Sequence, residues 1–303
     1  MPTRPCRLEN ASRIKESTEL DQFAMLWDVA PVAFTISIGS FHLPVYWYGL
    51  FFASTFVYGL FIFRYLFRRE GRPEDEVYDL VLFVLAGTVI GARLGHVLFY
   101  NPGFYLSHPW KILAVWEGGL ASHGAVVGIL IAVWLYSRRA TDQPFLWVCD
   151  RIGVTVPLSG CLIRIGNFFN SEILGRPTDV PWAVIFARVD ALPRHPAQLY
   201  EALCYLLIFL IQFRFYLKHG NSAPLGHMFG RFFILVFGAR FVLEFFKEGQ
   251  AAFESGWTIT MGQWLSIPVI LVGVYLIWRA RRLQQVFGVG WDAEPRRPDA
   301  PET

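Results

Sequence analysis

The stretch "IRIGNFFNSEILGR", residues 163–176, follows one of the most apolar parts of the chain. It nevertheless brings five polar or charged side chains together: Arg164, Asn167, Asn170, Glu172 and Arg176. Charged side chains at membrane depth are energetically costly and usually functional. An apolar run that ends in such a cluster predicts a membrane helix that leaves the bilayer at a functional site.

The composition of the whole chain indicates a membrane protein. Of its 303 residues, 54% are hydrophobic and only 17% are charged, whereas about 25% are charged in a typical soluble domain. A soluble core could not hide so many apolar side chains. The net charge of +3 suggests no nucleic-acid surface, and the four cysteines are not spaced like a metal clip or a redox pair. We therefore expect no nucleic-acid partner, no metal and no cofactor.

Seven segments are apolar over about 20 residues, which is enough to cross a bilayer. Lipid cannot satisfy backbone polar groups, so continuous runs of this length are helices. The sequence thus predicts an all-α integral membrane protein with seven transmembrane helices at 45–64, 79–99, 118–136, 145–164, 198–217, 228–246 and 262–279. We expect these helices to form one domain over 31–282, after an N-terminal extension (1–30) and before a disordered tail (283–303).

Arginine and lysine predict the orientation of these helices. The connections after the first, third and fifth helices, and the tail after the seventh, are rich in arginine, whereas the opposite connections carry few cations, such as Lys111 and Lys247. The positive-inside rule then places the N-terminus outside and the C-terminus in the cytoplasm. The connection over 165–197 contains four prolines and the apolar run "WAVIF". It is expected to form a small extracytoplasmic head.

Polar side chains lie near the predicted outer end of six of the seven helices. The most costly of them at this depth are Arg93, His123, Arg164 and Arg240. A planar guanidinium binds phosphate oxygens through two parallel hydrogen bonds, and a histidine can accept a proton near neutral pH. The sequence therefore predicts a site for a phospholipid headgroup, with acyl chains between the helices and a displacement reaction next to the phosphate.

Each of these residues also has a purely structural interpretation. Arg240 and Glu244 are four residues apart and could pair on one helix turn. Arg164 could pair with Glu172, and Arg93 could extend to the headgroups. Helix packing alone could explain His123, Gly118, Gly119 and Gly124. These interpretations do not explain why so many charged groups share one depth.

Several short blocks resemble the motifs of one enzyme family. "RIGNFFNSEILGR" closely resembles the signature of the prolipoprotein diacylglyceryl transferases, Arg-x-Gly-Asn-Phe-x-Asn-x-Glu-x-x-Gly-Arg. Other blocks of the family are resembled, in the same order, by "WYGL", "EGGLASHG", "RHPAQLYE", "RFVLEFF" and "MGQWLSIP". The resemblance implies a seven-helix enzyme of the bacterial inner membrane. Such an enzyme moves the diacylglyceryl group of phosphatidylglycerol to the lipobox cysteine of a prolipoprotein, and glycerol phosphate leaves.

The resemblance also implies roles for individual residues. His123 matches the family's essential histidine, a proposed base for the cysteine thiol. Arg164 and Arg240 match two arginines that would hold the phosphate, and Tyr48 matches a further catalytic position. The remaining expected substrate-binding residues are Asn167, Asn170, Glu172, Gly175, Gly118, Gly119, Gly124, Glu244, Arg93, His195 and Gln198.

Two other functions remain open at this point. The chain departs from the family pattern at Ala125, Ile163 and Val236, which leaves room for a phospholipid-dependent transferase with a different acceptor. A transporter of an anionic lipid or solute is the second alternative. It would be expected to carry internal repeats and polar groups near the membrane midplane, and the sequence shows neither pattern.

Overall fold

A computed structural model describes residues 24–39, 41–115, 118–249 and 259–287. Most of the predicted N-terminal extension (1–23) and of the predicted tail (288–303) therefore lies outside the described residues. The described α-helices are α1 (Trp47–Arg69), α2 (Glu74–Phe99), α3 (Pro102–Ser107), α4 (Ser122–Arg139), α5 (Phe145–Asn170), α6 (Ala197–His219), α7 (His227–Leu243) and α8 (Met261–Phe287). Short 3-10 helices occur at Pro109–Leu113, Gly220–Ser222 and Glu244–Phe246.

The chain also contains short strands, which the sequence analysis did not predict. They are β1 (Met25–Trp27), β2 (Val32–Ile38), β3 (Phe41–Tyr46), β4 (Val184–Phe186) and β5 (Pro193–Arg194). Strands β2 and β3 form an antiparallel hairpin, and β1, β4 and β5 form a separate sheet with β4 in the middle. Strands β1, β4 and β5 have only two or three residues and cannot show an alternating pattern. Strand β2, "VAFTISI", has seven residues and does alternate, so it could have been predicted.

The helices confirm the membrane character of the protein. Among the described residues, five helices are long and apolar enough to cross a bilayer: α1, α2, α5, α6 and α8. Helices α4 and α7 coincide with the two other predicted segments but have only 18 and 17 residues. A perpendicular crossing needs about 20 residues. The total of seven transmembrane helices therefore stays a prediction.

Three predicted boundaries need correction. Helix α1 begins at Trp47, because the two residues before it still pair within the β2–β3 hairpin. Helix α4 begins at Ser122 and not at 118, because Gly118 and Gly119 have φ angles of 86° and 71°. These left-handed values are incompatible with a right-handed helix. Helix α5 continues to Asn170, so the first half of the signature stretch is helical.

Two compact units make up the chain. The first unit contains Met1–Thr55, Val156–Gln212 and Arg231–Tyr275, and the second contains Phe56–Thr155, Phe213–Gly230 and Leu276–Thr303. The described parts are 24–39, 41–55, 156–212, 231–249 and 259–275 in the first unit and 56–115, 118–155, 213–230 and 276–287 in the second.

The sheet of the first unit forms the core of the predicted head. Met25 pairs in parallel with Val184, which in turn pairs with Arg194 on β5. The "WAVIF" run supplies β4, whose residues are all buried, and the ring of Phe186 packs at 5.6 Å from that of Phe168 on α5. The last residues of the predicted N-terminal extension therefore belong to this ordered sheet. Burial of β4 is the physical reason why an apolar run occurs in a connection rich in proline.

Arg194 connects this sheet to its surroundings. Its buried guanidinium donates hydrogen bonds to both carboxylate oxygens of Asp190, to the carbonyl oxygen of Gly175 and to the carboxylate of Glu248. Burial raises the pKa of Asp190, but the hydrogen bonds from Arg194 and from the Leu192 amide outweigh it. The pKa of Asp190 is therefore held below its ordinary value.

In the second unit, a seam of glycines joins α2 to α4. Gly87 and Gly91 of α2 face Gly124 and Gly128 of α4. A Cβ atom on Gly91 would lie 2.4 Å from the carbonyl oxygen of Gly124, and one on Gly128 would lie 2.1 Å from that of Gly87. The two backbones are therefore in direct contact, as in small-residue helix packing in membranes. Close packing accounts for Gly124, as the structural interpretation of that residue proposed.

Buried ionic groups near the start of α5 stabilise the second unit. Arg151 forms a 2.6 Å ion pair with Glu70, and the two side chains are 2% and 3% exposed. The neighbouring Asp150 accepts hydrogen bonds of 2.7 and 2.8 Å from the amides of Gly226 and Phe229 at the start of α7. The carboxylate thereby satisfies amide groups that a helix leaves unpaired at its first turn.

The glycine seam generates a stability prediction. We expect Gly128→Ala to lower the free energy of unfolding by about 1–3 kcal/mol, because the new methyl group overlaps backbone that cannot move aside easily. Gly59→Ala on α1 is the control, since a Cβ there meets no atom within 4 Å. It should be neutral or stabilising by up to about 1 kcal/mol, through helix propensity. Thermal unfolding of both variants in detergent micelles measures the difference. Equal stabilities would contradict the close backbone contact between α2 and α4.

Candidate active site

The side chains of the signature stretch form one hydrogen-bonded network at the end of α5. Arg164 Nη1 donates to Asn167 Oδ1 at 3.1 Å. Asn167 Nδ2 donates to one carboxylate oxygen of Glu172 at 3.0 Å, and Asn170 Nδ2 donates to the other at 3.2 Å. Arg164 and Glu172 are thus connected through Asn167 and do not form the direct pair that was considered from the sequence.

The backbone around Glu172 is strained. Ser171 and Ile173 on either side of it both have φ of 56°, a left-handed value that non-glycine residues rarely adopt. The buried amide of Gln198 donates a 2.6 Å hydrogen bond to the carbonyl oxygen of Glu172 and so fixes this turn. Backbone strain of this kind is concentrated at functional sites. The side chain of Gln198 therefore stabilises the signature turn by binding the backbone of Glu172.

Gly175 allows the signature turn to contact the chain next to β5. A Cβ atom on Gly175 would lie only 2.2 Å from the carbonyl oxygen of His195. The ring of His195 lies 3.2 Å from the hydroxyl of Tyr200 through Nδ1 and packs against Phe246, with 5.3 Å between the ring centroids. Any side chain at 175 would push these elements apart. The sequence prediction that Gly175 matters thus has a steric reason.

A buried chain of alternating charges continues from Arg164. Arg164 Nε lies 2.9 Å from Glu201 Oε2, and Lys247 Nζ lies 2.9 Å from Glu201 Oε1 and 3.0 Å from Glu244 Oε2. Glu201 is 0% exposed and Lys247 is 2% exposed. The sequence analysis missed both as site residues. Glu201 could have been found, because it ends the "RHPAQLYE" block, but Lys247 had been counted only as a loop cation.

Arg240 differs from the other cations of the first unit. It lies on α7 and is partly buried. Glu244 bonds Lys247, and Arg240 makes no hydrogen bond or ion pair with any residue that the structure describes. The one-turn pair of Arg240 with Glu244 is therefore not formed. A guanidinium without a charge partner is costly in apolar surroundings, so Arg240 is well suited to an anion that is not part of the protein.

Tyr48 lies at the start of α1, within electrostatic range of Arg164 and Glu172. Its ring stacks on Phe52, with 6.4 Å between centroids. A Cβ on Gly166 of α5 would lie 3.2 Å from this ring, so the glycine lets α1 and α5 come close. The geometry thus brings Tyr48 close to the signature network, and its catalytic role stays a prediction.

His123 of the second unit is exposed in the first turn of α4. Its Nε2 lies 3.3 Å from the hydroxyl oxygen of Tyr100, and the two rings stack at 6.1 Å. Tyr100 stacks in turn on His96 of α2 at 5.3 Å. Tyr100 was not among the expected site residues. Its hydroxyl is nevertheless the group placed to orient His123, because a hydrogen bond to one ring nitrogen selects the tautomer.

Arg93 donates hydrogen bonds to backbone carbonyl oxygens of the connection between α2 and α4. Its Nε donates to the carbonyl oxygen of Ile112 at 2.9 Å, Nη2 donates to that of Lys111, and Nη1 donates to those of Gly118 and Gly119. The side chain is 4% exposed. These bonds hold the backbone of Lys111, Ile112, Gly118 and Gly119 against α2. Glu117 of the "EGGLASHG" block lies outside the described residues.

The structure thus places the predicted residues in two clusters, one in each unit. The first cluster contains Tyr48, Arg164, Asn167, Asn170, Glu172, Gly175, His195, Gln198 and Glu244, joined by Glu201 and Lys247, with Arg240 on the same unit. The second contains Arg93, Gly118, Gly119, His123 and Gly124, joined by His96 and Tyr100. The expectation that six helices bring these side chains to one depth stays a prediction.

Apolar helices long enough to cross a bilayer, together with buried charge networks at helix ends, define a multi-pass membrane protein with a built polar site. The family model described as prolipoprotein diacylglyceryl transferase matches residues 31–279. The chain therefore belongs to this family, and the resemblance inferred from the sequence blocks is confirmed.

Similar proteins from three bacteria are all named phosphatidylglycerol–prolipoprotein diacylglyceryl transferase. The chain is 46% identical over 253 residues to that of Tolumonas auensis, with 84% of this chain and 96% of the relative covered. It is 48% identical over 262 residues to that of Chloroherpeton thalassium, with coverages of 86% and 96%. For the protein of Bacteroides fragilis the identity is 40% over 264 residues, with coverages of 83% and 94%.

The buried charge network generates a second stability prediction. We expect Lys247→Met to destabilise the protein by about 3–5 kcal/mol, because Glu201 and Glu244 lose a buried cation. Lys218→Met, which alters an exposed lysine at the end of α6, is the control and should change stability by less than about 0.5 kcal/mol. Adding Glu244→Gln to Lys247→Met should restore part of the loss, since it removes one unpaired carboxylate. Chemical unfolding in detergent measures all three, and a harmless Lys247→Met would argue against the network.

Proposed function

We propose that this chain transfers the diacylglyceryl group of phosphatidylglycerol to the lipobox cysteine thiol of prolipoproteins, which is the first step of lipoprotein maturation. The family membership and the names of the relatives support this proposal. The structural observation that carries it is Arg240, a guanidinium without a partner among the described residues, on the same unit as the ordered Arg164 network. An anionic headgroup would supply the missing partner.

The arginines are assigned to the phosphate of the donor lipid. In the reaction, the cysteine sulfur forms a bond to the glyceryl carbon, and the bond from that carbon to the phosphate oxygen breaks. The electron pair of that bond leaves with glycerol phosphate, so negative charge grows on the phosphate oxygens. Arg240 and Arg164 would stabilise this charge by bidentate hydrogen bonds.

His123 is assigned to the proton of the thiol. A thiolate is the reactive form of cysteine, and a histidine can remove the thiol proton near neutral pH. His123 is exposed, and its Nε2 lies beside the Tyr100 hydroxyl. Tyr48, within electrostatic range of Arg164 and Glu172, is assigned to the same reaction as a further polar group near the phosphate.

Several expected substrate-binding residues are assigned a supporting role. Asn167, Asn170 and Glu172 hold Arg164 in place, and Glu244 balances the buried Lys247. Others shape the backbone around these groups: Gly175, His195, Gln198, Gly118, Gly119, Gly124 and Arg93. A guanidinium with fixed neighbours binds an anion at a lower entropic cost.

We also propose seven crossings of the bacterial inner membrane, with the N-terminus and the head outside and the C-terminus in the cytoplasm. Strand pairing supports this number, because paired residues lie on one side of the membrane. Met25 pairs with Val184, so the helices between them must cross an even number of times. If α1, α2 and α5, which are long and apolar enough to cross, each cross once, α4 crosses as well.

The same argument applies to α7. Gly175 pairs with Lys247, and α6 and α7 lie between them. If α6, which is long and apolar enough to cross, crosses once, α7 returns the chain to the same side. The basic last turns of α1, α4 and α6 support a cytoplasmic location for those helix ends.

Reporter fusions test this orientation. A reporter fused after Arg282 should be cytoplasmic, and one inserted within 176–196 should be external. The reverse pattern would refute this orientation.

The function is tested with the purified protein, phosphatidylglycerol and a lipobox peptide. We expect the peptide to gain the mass of one diacylglyceryl group and glycerol phosphate to be released. A peptide with serine in place of the lipobox cysteine should stay unmodified, because a hydroxyl is a far weaker nucleophile than a thiolate. Equal modification of both peptides would rule out thiol transfer.

Conservative substitutions test whether Arg164 and Arg240 together bind the phosphate, an arrangement that we call the phosphate clamp. Arg240→Lys and Arg164→Lys keep the charge but lose the planar fork. We expect each to raise the reaction barrier by about 2–4 kcal/mol, as removal of one donor from an oxyanion site does. Arg231→Lys on the same helix α7, where Arg231 bonds Gln212, is the control and should retain most activity.

Turnover of phosphatidylglycerol and the melting temperature are measured for each of these variants. Near-normal turnover in both Arg164→Lys and Arg240→Lys would exclude the clamp. A loss of activity that follows a loss of stability would indicate a structural role for the arginines.

A further inference from the structure

An apolar groove follows the seam between α2 and α4 in the second unit. Its volume is about 1070 Å³, and its lining runs from Leu82 to Tyr100 on the α2 side and from His123 to Leu135 on α4. The floor consists of the seam glycines, which contribute no side chain. The walls are apolar side chains such as Leu94, Leu98 and Val127, which are 46%, 63% and 58% exposed. The seam that joins the two helices thus also creates the groove.

One end of the groove is polar. Among the described residues that line it, Tyr100 and His123 alone carry polar side-chain atoms, and both lie where α2 ends and α4 begins. Eighteen helical steps from Leu82 to Tyr100 correspond to about 27 Å, which is close to the hydrocarbon thickness of about 30 Å. The groove is therefore long and apolar, and it ends at His123, the proposed base for the thiol.

We propose that the outer part of this groove binds one acyl chain of the phosphatidylglycerol donor and so places its glyceryl carbon near His123. This inference rests on the proposed function. A diacylglyceryl lipid has the same polarity pattern as the groove, with a reactive polar end and a long apolar chain. An acyl chain reaches about half of the hydrocarbon thickness, or about 15 Å, which corresponds to about ten helical residues. The chain would then extend from Tyr100 to about Ile90.

A transmembrane segment of the acceptor is a less suitable occupant. Membrane helices associate closely through small residues that let their backbones approach. Here the small residues already serve the packing of α2 on α4, since any Cβ on Gly91 or Gly128 meets the backbone of the other helix. The exposed walls offer branched apolar side chains, which suit a flexible hydrocarbon chain.

Two neighbouring valines provide a matched test. Val127 lines the groove one turn after His123, whereas Val126 does not line it, although they are 58% and 57% exposed. We expect Val127→Trp to raise KM for long-chain phosphatidylglycerol about tenfold, the scale of discrimination by apolar pocket contacts, with little change in kcat. Val126→Trp should behave like wild type. If Val127→Trp does not fold, Leu94→Trp replaces it, with Leu85→Trp as control, because Leu85 is 39% exposed and lies outside the lining.

Photocrosslinking keeps this test independent of turnover. Phosphatidylglycerol with a photoreactive acyl chain should crosslink to 90–98 and 127–131 in wild type, less in Val127→Trp, and undiminished in Val126→Trp. Crosslinks without transfer would reject the proposed function while supporting the groove. Transfer with equal KM values in the two valine variants, absent crosslinks, or a rise of KM for the lipobox peptide instead of the lipid would each overturn the groove proposal.

Discussion

The buried carboxylate of Glu201 is the constraint on which the first unit depends. It is fully excluded from solvent and has a cation on each oxygen, Arg164 from α5 and Lys247 from the segment after α7. A buried charge is tolerated only when its partners are held in place. Three separate parts of the chain are therefore fixed by one ionic centre. The strained turn around Glu172, the head sheet and the end of α7 all pack next to elements that this centre joins.

This arrangement makes the two arginines that are proposed to bind the phosphate, Arg164 and Arg240, unlike each other. Arg164 is already engaged by Glu201 and Asn167, so its position is set before any ligand arrives. Arg240 has no such contacts within the described part of the chain. We propose that this fixed cation and the one without described contacts together bind the phosphate, and that the second responds as negative charge on the phosphate grows. Such preorganised charge is commonly the largest contribution to enzymatic rate enhancement.

Much of this fold could be predicted from the sequence, because membrane helices are encoded locally. Seven apolar segments predicted seven of the helices. In lipid, backbone polar groups must hydrogen-bond within the protein, so a long apolar segment has few alternatives to a helix. The cluster of Arg164, Asn167 and Glu172 was also recognisable, because its members lie within one short motif. The partners of Glu201 were not predictable, since Lys247 follows it by two helices. The contacts of Arg93 were not predictable either: its charge suggested a ligand site, whereas its described hydrogen bonds go to backbone carbonyls that only the folded loop presents.

The pairing of β1 with β4 has a consequence for how the chain is made. Met25 lies near the start of the described chain, and its partner Val184 comes only after α5. A contact between positions so distant in sequence forms slowly, because the loop between them must first be closed. During synthesis, the N-terminal strand must therefore wait, unpaired, until the intervening helices have been inserted. The sheet can be completed once β5 has been made, whereas α6, α7 and α8 still follow it in the chain.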